Sequence, residues 1–132
     1  MTDFDIEPHR RAVTDLVTRA SNGALAWYRR PLTVENKHDT GFDPVTAADR
    51  AVEDEIRAGL SRLFPDHAVY GEERGTTGAG RYRWIIDPID GTRAFIAGQP
   101  MWGTLVGFEV DGRPVAGWMH NTMASSSAVT GD

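Results

Sequence analysis

Asp87-Pro88-Ile89-Asp90-Gly91-Thr92, read with Gly71-Glu72-Glu73 upstream, gathers acidic oxygens beside a backbone turn suited to phosphate. Hard divalent cations such as Mg²⁺ take oxygen ligands in near-octahedral arrangement and keep several waters, which leaves room for phosphate oxygens. Glu72, Asp87 and Asp90 offer carboxylates, and the Ile89 carbonyl is a candidate fourth ligand. A metal pair about 4 Å apart orients a nucleophilic water and stabilises the leaving oxygen of an in-line displacement. Asp87 is the natural bridging carboxylate for such a pair. Gly91 permits an unusual backbone angle or close ligand approach, and a short helix starting at Arg93 would turn free amides toward an anion. Taken singly, Asp87 and Asp90 read as an ordinary Asx turn and the glutamates as solvated surface; their combination favours metal-assisted phosphate chemistry.

Thr46-Ala47-Ala48-Asp49 matches a variant capping box at the start of a helix. The same Asp49, if brought near Thr92, could polarise that hydroxyl and through it deprotonate a metal-bound water. Other chemistries lose ground. There is no cysteine, hence no disulfide, thiolate metal site or cysteine nucleophile. His9, His38, His67 and His120 lack metal-ligand spacing, and no serine sits in a Gly-x-Ser-x-Gly turn. The glycines between Gly75 and Gly80 lack the spacing and following lysine of a nucleotide-binding P-loop. Trp27, Trp84, Trp102 and Trp118 read as core or interface aromatics, since no basic groove accompanies them.

The elements that must position these residues follow from apolar periodicity. Val13, Leu16, Val17, Ala20, Ala24, Trp27 and Tyr28 predict a helix over residues 5–29, ended by Pro31. Residues 32–44 form a loop whose leading functional candidate is Lys37. Ala48, Val52, Ile56, Leu60 and Leu63 predict a second helix over 46–64, stopped by Pro65. Short strands are expected over 68–70 and 81–86, joined by a flexible hairpin connection, with Asp87 where the second ends and Pro88 barring further pairing through its own nitrogen. Residues 104–110 and 113–120 form an antiparallel pair around an Asp111-Gly112 turn. The Ser/Ala/Thr/Gly-rich residues 121–132 read as a disordered tail, leaving 1–120 as one metal- and phosphate-binding domain.

With 132 residues, 40% hydrophobic and 25% charged, the chain is sized and composed like a single folded domain. A net charge of −5 with scattered basic residues argues against a nucleic-acid partner, and a small phosphate ester is compatible only if bound cations cancel the local carboxylates. No stretch has the length of a signal-peptide core or a membrane span, so a cytoplasmic location without membrane insertion is expected.

These motifs resemble the inositol monophosphatase family of metal-dependent, lithium-sensitive phosphatases. The matching residues are Asp43-Pro44-Val45-Thr46-Ala47-Ala48-Asp49, Gly71-Glu72-Glu73 and Trp84-Ile85-Ile86-Asp87-Pro88-Ile89-Asp90-Gly91-Thr92, followed by Phe95, Gly98, Pro100 and Thr104-Leu105-Val106-Gly107. The resemblance implies an α+β, layered fold: two long helices on a mostly antiparallel sheet, the N-terminal half of an αβαβα sandwich. It implies Mg²⁺ ligation by Glu72, Asp87, Asp90 and the Ile89 carbonyl, in a complete site of two or three ions that accepts Mn²⁺ and is inhibited by Li⁺. It implies water activation by Thr92 and Asp49 with Glu73 in support, and substrate binding around Glu72, Ile89, Asp90, Gly91, Thr92 and Arg93, with Lys37 as an accessory residue. Gly91-Thr92-Arg93-Ala94-Phe95-Ile96 is most similar to the histidinol-phosphatase branch of histidine biosynthesis, with inositol 1-phosphate the alternative substrate. Full-length members are expected to be homodimers. They also carry a second αβ domain with a Trp-Asp-x-x-Ala-Gly motif that completes the second metal site, and this sequence has no such motif. The rival expectation is therefore a truncated, non-catalytic fragment with residual metal binding, prone to self-association through an uncovered sheet face.

Overall fold

The computed structural model describes residues 4–29, 35–36, 44–121 and 126–131. Lys37 and the rest of its predicted loop from 37 to 43 lie outside them. Helix α1 (Arg10–Gly23) and helix α2 (Ala47–Leu63) pack together on one face of a six-stranded sheet. The strands are β3 (Ala68–Gly71), β4 (Gly75–Thr77), β5 (Tyr82–Asp90), β6 (Gly103–Val110), β7 (Arg113–Asn121) and β8 (Ser126–Gly131), in the order β4-β3-β5-β6-β7-β8. Only the β3–β5 pair is parallel. A two-residue ladder joins β1 (Glu35–Asn36) to β2 (Pro44–Val45), and the short helix α3 (Thr92–Ile96) follows β5. Two helices on a mostly antiparallel sheet is the architecture that the family resemblance implies, and the helical periodicities place α1 and α2 in it.

Helix α1 buries Val13, Leu16, Val17, Ala20 and Ser21, the three-and-four spacing of one face. It is shorter than the predicted 5–29. Pro8 starts a 3-10 turn over Glu7–His9, and Asn22-Gly23 are weak helix formers, so the chain leaves the helix through a second 3-10 turn over Ala24–Ala26. On α2, Ala48, Val52, Ile56 and Leu60 face the core, and Gly59 lets the helix approach α1 closely, because a β-carbon there would fall 2.4 Å from Leu16. Sheet residues alternate. Trp84 and Ile86 of β5 meet Val106 and Phe108 of β6 and Trp118 of β7 beneath the helices. Burying one such Ile or Phe contributes roughly 2–3 kcal/mol. The Trp118 indole donates to Thr14 Oγ1 at 3.1 Å, which ties the sheet to α1.

Three sequence expectations are corrected. Strand β5 continues past residue 86 to Asp90, with a break in pairing register between Asp87 and Asp90 that accommodates the missing amide of Pro88. The glycine-rich connection is ordered in part, as β4 pairs antiparallel with β3. Residues 126–131, expected within a disordered tail, form edge strand β8 against β7. A ladder needs only backbone donors and acceptors, which a composition rich in Ser and Ala still supplies. The Asp111-Gly112 turn forms as predicted, with φ of 53° and 78° at its two residues, the signature of a type I′ hairpin.

Candidate functional site

The Glu72 and Asp87 motifs fall on neighbouring strands because β3 and β5 run parallel and in register. Gly71 pairs with Ile86, so Glu72 and Asp87 each follow the last paired residue of adjacent strands. The N-terminal half of α2 lies across these strand ends and contributes two buried carboxylates, Asp49 and Glu53.

Asp49 serves two turns at once. Its Oδ2 accepts the Thr46 amide at 2.9 Å and the Thr46 hydroxyl at 2.8 Å, while Thr46 Oγ1 accepts the Ala48 amide at 3.1 Å, so the predicted capping box is present. Its Oδ1 accepts the Thr92 hydroxyl at 3.0 Å, across 43 residues of sequence. The structural and chemical readings of Asp49 therefore coexist, one on each oxygen. Thr92 Oγ1 also lies 3.0 Å from the Ile89 carbonyl. One hydroxyl hydrogen faces two acceptors, so a group that engaged the Ile89 carbonyl would leave that hydrogen to Asp49.

The turn between Asp87 and Thr92 is held on all sides. The Thr104 hydroxyl donates to the Pro88 carbonyl at 2.9 Å from a fully buried position. Gly91 adopts φ 90°, and a β-carbon there would sit 2.7 Å from the Met101 carbonyl oxygen, so this position requires glycine. Beneath α3, Phe95 packs edge-on to Trp102 at 4.9 Å and tilted against Tyr28 at 5.4 Å. Asp90 and Arg93 are exposed, and Ile89 is buried.

Asp87 lines a groove of about 300 Å³ with Ile85, Leu105, Gly107, Phe108, Glu109 and Pro114. Among the described residues, no three His, Asp or Glu side chains are gathered closely enough to hold a metal ion. The chemistry of the donor set still fits a hard divalent cation, because Glu72, just after β3, and Asp87, Asp90 and the Ile89 carbonyl, in the last four residues of β5, are all oxygen donors.

Sequence reasoning missed Glu53 and Arg57, and named Thr104 only as part of a motif, without its bond to Pro88. Glu53 is fully buried and accepts the backbone amides of Glu73 and Arg74, each at 2.8 Å, and Arg57 Nε at 3.0 Å. A signal was present in the sequence: Asp49, Glu53 and Arg57 recur every four residues along α2, a charged file beside the apolar stripe.

A sequence profile of the inositol monophosphatase family matches residues 5–131. The chain belongs to that family. A histidinol-phosphatase of Chlorobaculum parvum is 45% identical over 108 residues, covering 80% of this chain and 40% of the relative. A histidinol-phosphatase of Mycobacterium tuberculosis is 46% identical over 105 residues, covering 78% and 37% respectively. Among solved structures, an inositol monophosphatase from Thermotoga maritima superposes with a TM-score of 0.85 at 28% identity, over 96% of this chain and 48% of that one. One from Zymomonas mobilis gives 0.73 at 35% identity, over 98% and 49%. This inositol monophosphatase family chain thus spans less than half the length of the curated relatives it matches. No helix among its described residues is long and apolar enough to cross a membrane.

Proposed function

We propose that this chain carries the water-activating half of a metal-dependent phosphomonoesterase site, with histidinol phosphate as substrate. The observation that supports it most is the Thr92 hydroxyl at 3.0 Å from the buried Asp49 carboxylate, beside the Asp87 to Gly91 turn. In this reading Glu72, Asp87, Asp90 and the Ile89 carbonyl hold Mg²⁺ or Mn²⁺, which supplies charge neutralisation on phosphate and a more acidic water. Thr92 directs its hydrogen to Asp49 and leaves its oxygen lone pairs to receive a hydrogen bond from the attacking water. Asp49, fixed by Thr46, draws the proton along that path. Glu73 supports the water from the neighbouring turn. Gly91 and Thr92 offer backbone amides to phosphate, with Arg93 on the same turn supplying positive charge to the substrate. The names of the relatives at 45–46% identity favour histidinol phosphate over inositol 1-phosphate.

The purified chain with Mg²⁺ should release phosphate from histidinol phosphate and lose that activity on Asp90→Asn. Absence of release at high enzyme concentration overturns the catalytic reading for this chain. A second reading, a non-catalytic piece with residual metal binding, is favoured by the spread of Glu72, Asp87 and Asp90, which do not converge in a group of three. Calorimetry with Mg²⁺ separates the two, since tight paired binding contradicts an incomplete site.

A further inference from the structure

We propose that Glu53, clamped by Arg57, is the positioning residue of the Gly71-Glu72-Glu73 turn and fixes the direction in which its carboxylates are presented to a divalent cation. The proposal rests on the metal-site reading above and adds a residue outside the ligand set. Glu53 is 0% exposed, and its two oxygens accept three N–H groups: the Glu73 amide on Oε1, and the Arg74 amide with Arg57 Nε on Oε2. Two consecutive amides on one carboxylate set the peptide planes on both sides of Glu73, and so the path of the turn that carries Glu72 and Glu73.

Arg57 closes the clamp from the other side of the turn. Its Nη1 donates to Thr77 Oγ1 at 2.7 Å and its Nη2 to the Gly75 carbonyl, so β4, at the far end of the β3–β4 connection, is also tied to α2. The glycine of the motif acquires a physical reason here: a β-carbon on Gly71 would fall 2.3–2.5 Å from the Glu53 carboxylate. Glycine leaves the volume that the anchor occupies. Exposed Arg74 is fastened separately to Asp54 at 2.9 Å, which braces the same turn against the residue of α2 next to Glu53. Outer partners that orient ligating carboxylates usually set metal affinity as well as geometry.

Mn²⁺ titration of the whole 132-residue chain, read by calorimetry together with amide hydrogen exchange at Glu73 and Arg74, tests the proposal. Glu53→Gln places an amide donor against donors. It should accelerate exchange at both amides and raise the Mn²⁺ dissociation constant about 10- to 100-fold while the circular dichroism spectrum is retained. Loss of a negative charge alone would also weaken cation binding, so Arg57→Met decides between the two causes. A through-space charge effect strengthens Mn²⁺ binding when this cation is removed; positioning weakens it. Arg57→Met that binds Mn²⁺ as tightly as the unsubstituted chain, or tighter, overturns the proposal, as do unchanged Glu73 and Arg74 amides in Glu53→Gln. If Glu53→Gln fails to fold, Arg57→Met carries both readouts, because its side chain lies at the rim of the clamp with 14% exposure. An unsubstituted chain that takes up no Mn²⁺ overturns the metal reading itself, a failure distinguishable from binding that survives both substitutions.

Discussion

Asp49 and Glu53 are buried carboxylates one turn apart on the same helix, yet they are built for different work. Glu53 is surrounded by fixed donors, two backbone amides and a guanidinium, none of which rotates or exchanges roles. Asp49 is surrounded largely by hydroxyls, those of Thr46 and Thr92, which can turn and can both give and accept a hydrogen bond. Fixed N–H donors make an anchor. Hydroxyls make a path along which a proton can be redirected, and Asp49 has one of them on the Asp87 to Thr92 turn. The difference puts fixed donors at the Gly71-Glu72-Glu73 turn and a rotatable hydroxyl at Thr92, on which the proposed proton path depends.

The largest expected effect breaks this contrast directly. Glu53→Ala leaves a nearly buried guanidinium and two amides without their acceptor, and should cost about 3–5 kcal/mol in chemical denaturation. Asp49→Asn keeps an acceptor for Thr92 and should cost about 1–2 kcal/mol, while lowering phosphate release from histidinol phosphate about 100-fold. A stability loss larger at Asp49 than at Glu53 would erase the distinction between anchor and proton path. Next in size, Gly91→Ala forces a side chain at φ 90° against the Met101 carbonyl, and about 1–3 kcal/mol of destabilisation is expected by thermal melting. Thr92→Val, which removes only the shared hydroxyl, should cost about 1 kcal/mol of stability but as much activity as Asp49→Asn. Equal activity in Thr92→Val and the unsubstituted chain would remove Thr92 from the path.

Much of this was legible in the sequence for local reasons. The capping box at Thr46 and Asp49, the apolar stripes of α1 and α2 and the Asp111-Gly112 turn are all written within a few residues. The contacts that could not be read are those that cross the sequence. Glu53 meets Glu73 across 20 residues and Thr104 meets Pro88 across 16, and nothing in either residue type announces its partner. The continuation of β5 to Asp90 was hidden for a different reason: Pro88 reads as the end of a strand, while a break in register between Asp87 and Asp90 lets the pairing with β6 go on. Strand β8 escaped because the Ser-rich composition of residues 126–131 carries no alternating pattern, while its backbone can still extend the edge of β7.

The smallest expected effect lies away from both carboxylates, at His67, and sharpens the contrast by supplying a titrating group that neither turn touches. The Trp84 indole donates to His67 Nδ1 at 3.0 Å, which requires that nitrogen unprotonated, and the ring stacks on Phe64 at 5.0 Å. Burial pushes the His67 pKa below the usual histidine value; Asp66 opposes the shift and His9 adds to it. A group whose pKa falls on folding binds its proton more readily when unfolded. Its contribution to stability is therefore complete above about pH 6.5 and is lost as pH falls through the lowered folded value. His120, also lowered by burial, adds a slope of the same sign. Denaturation midpoints measured from pH 7.5 to 5 should decline, and His67→Phe, which keeps an aromatic ring in the stack, should flatten the decline without removing the part due to His120. An unchanged slope in His67→Phe would remove His67 from the effect.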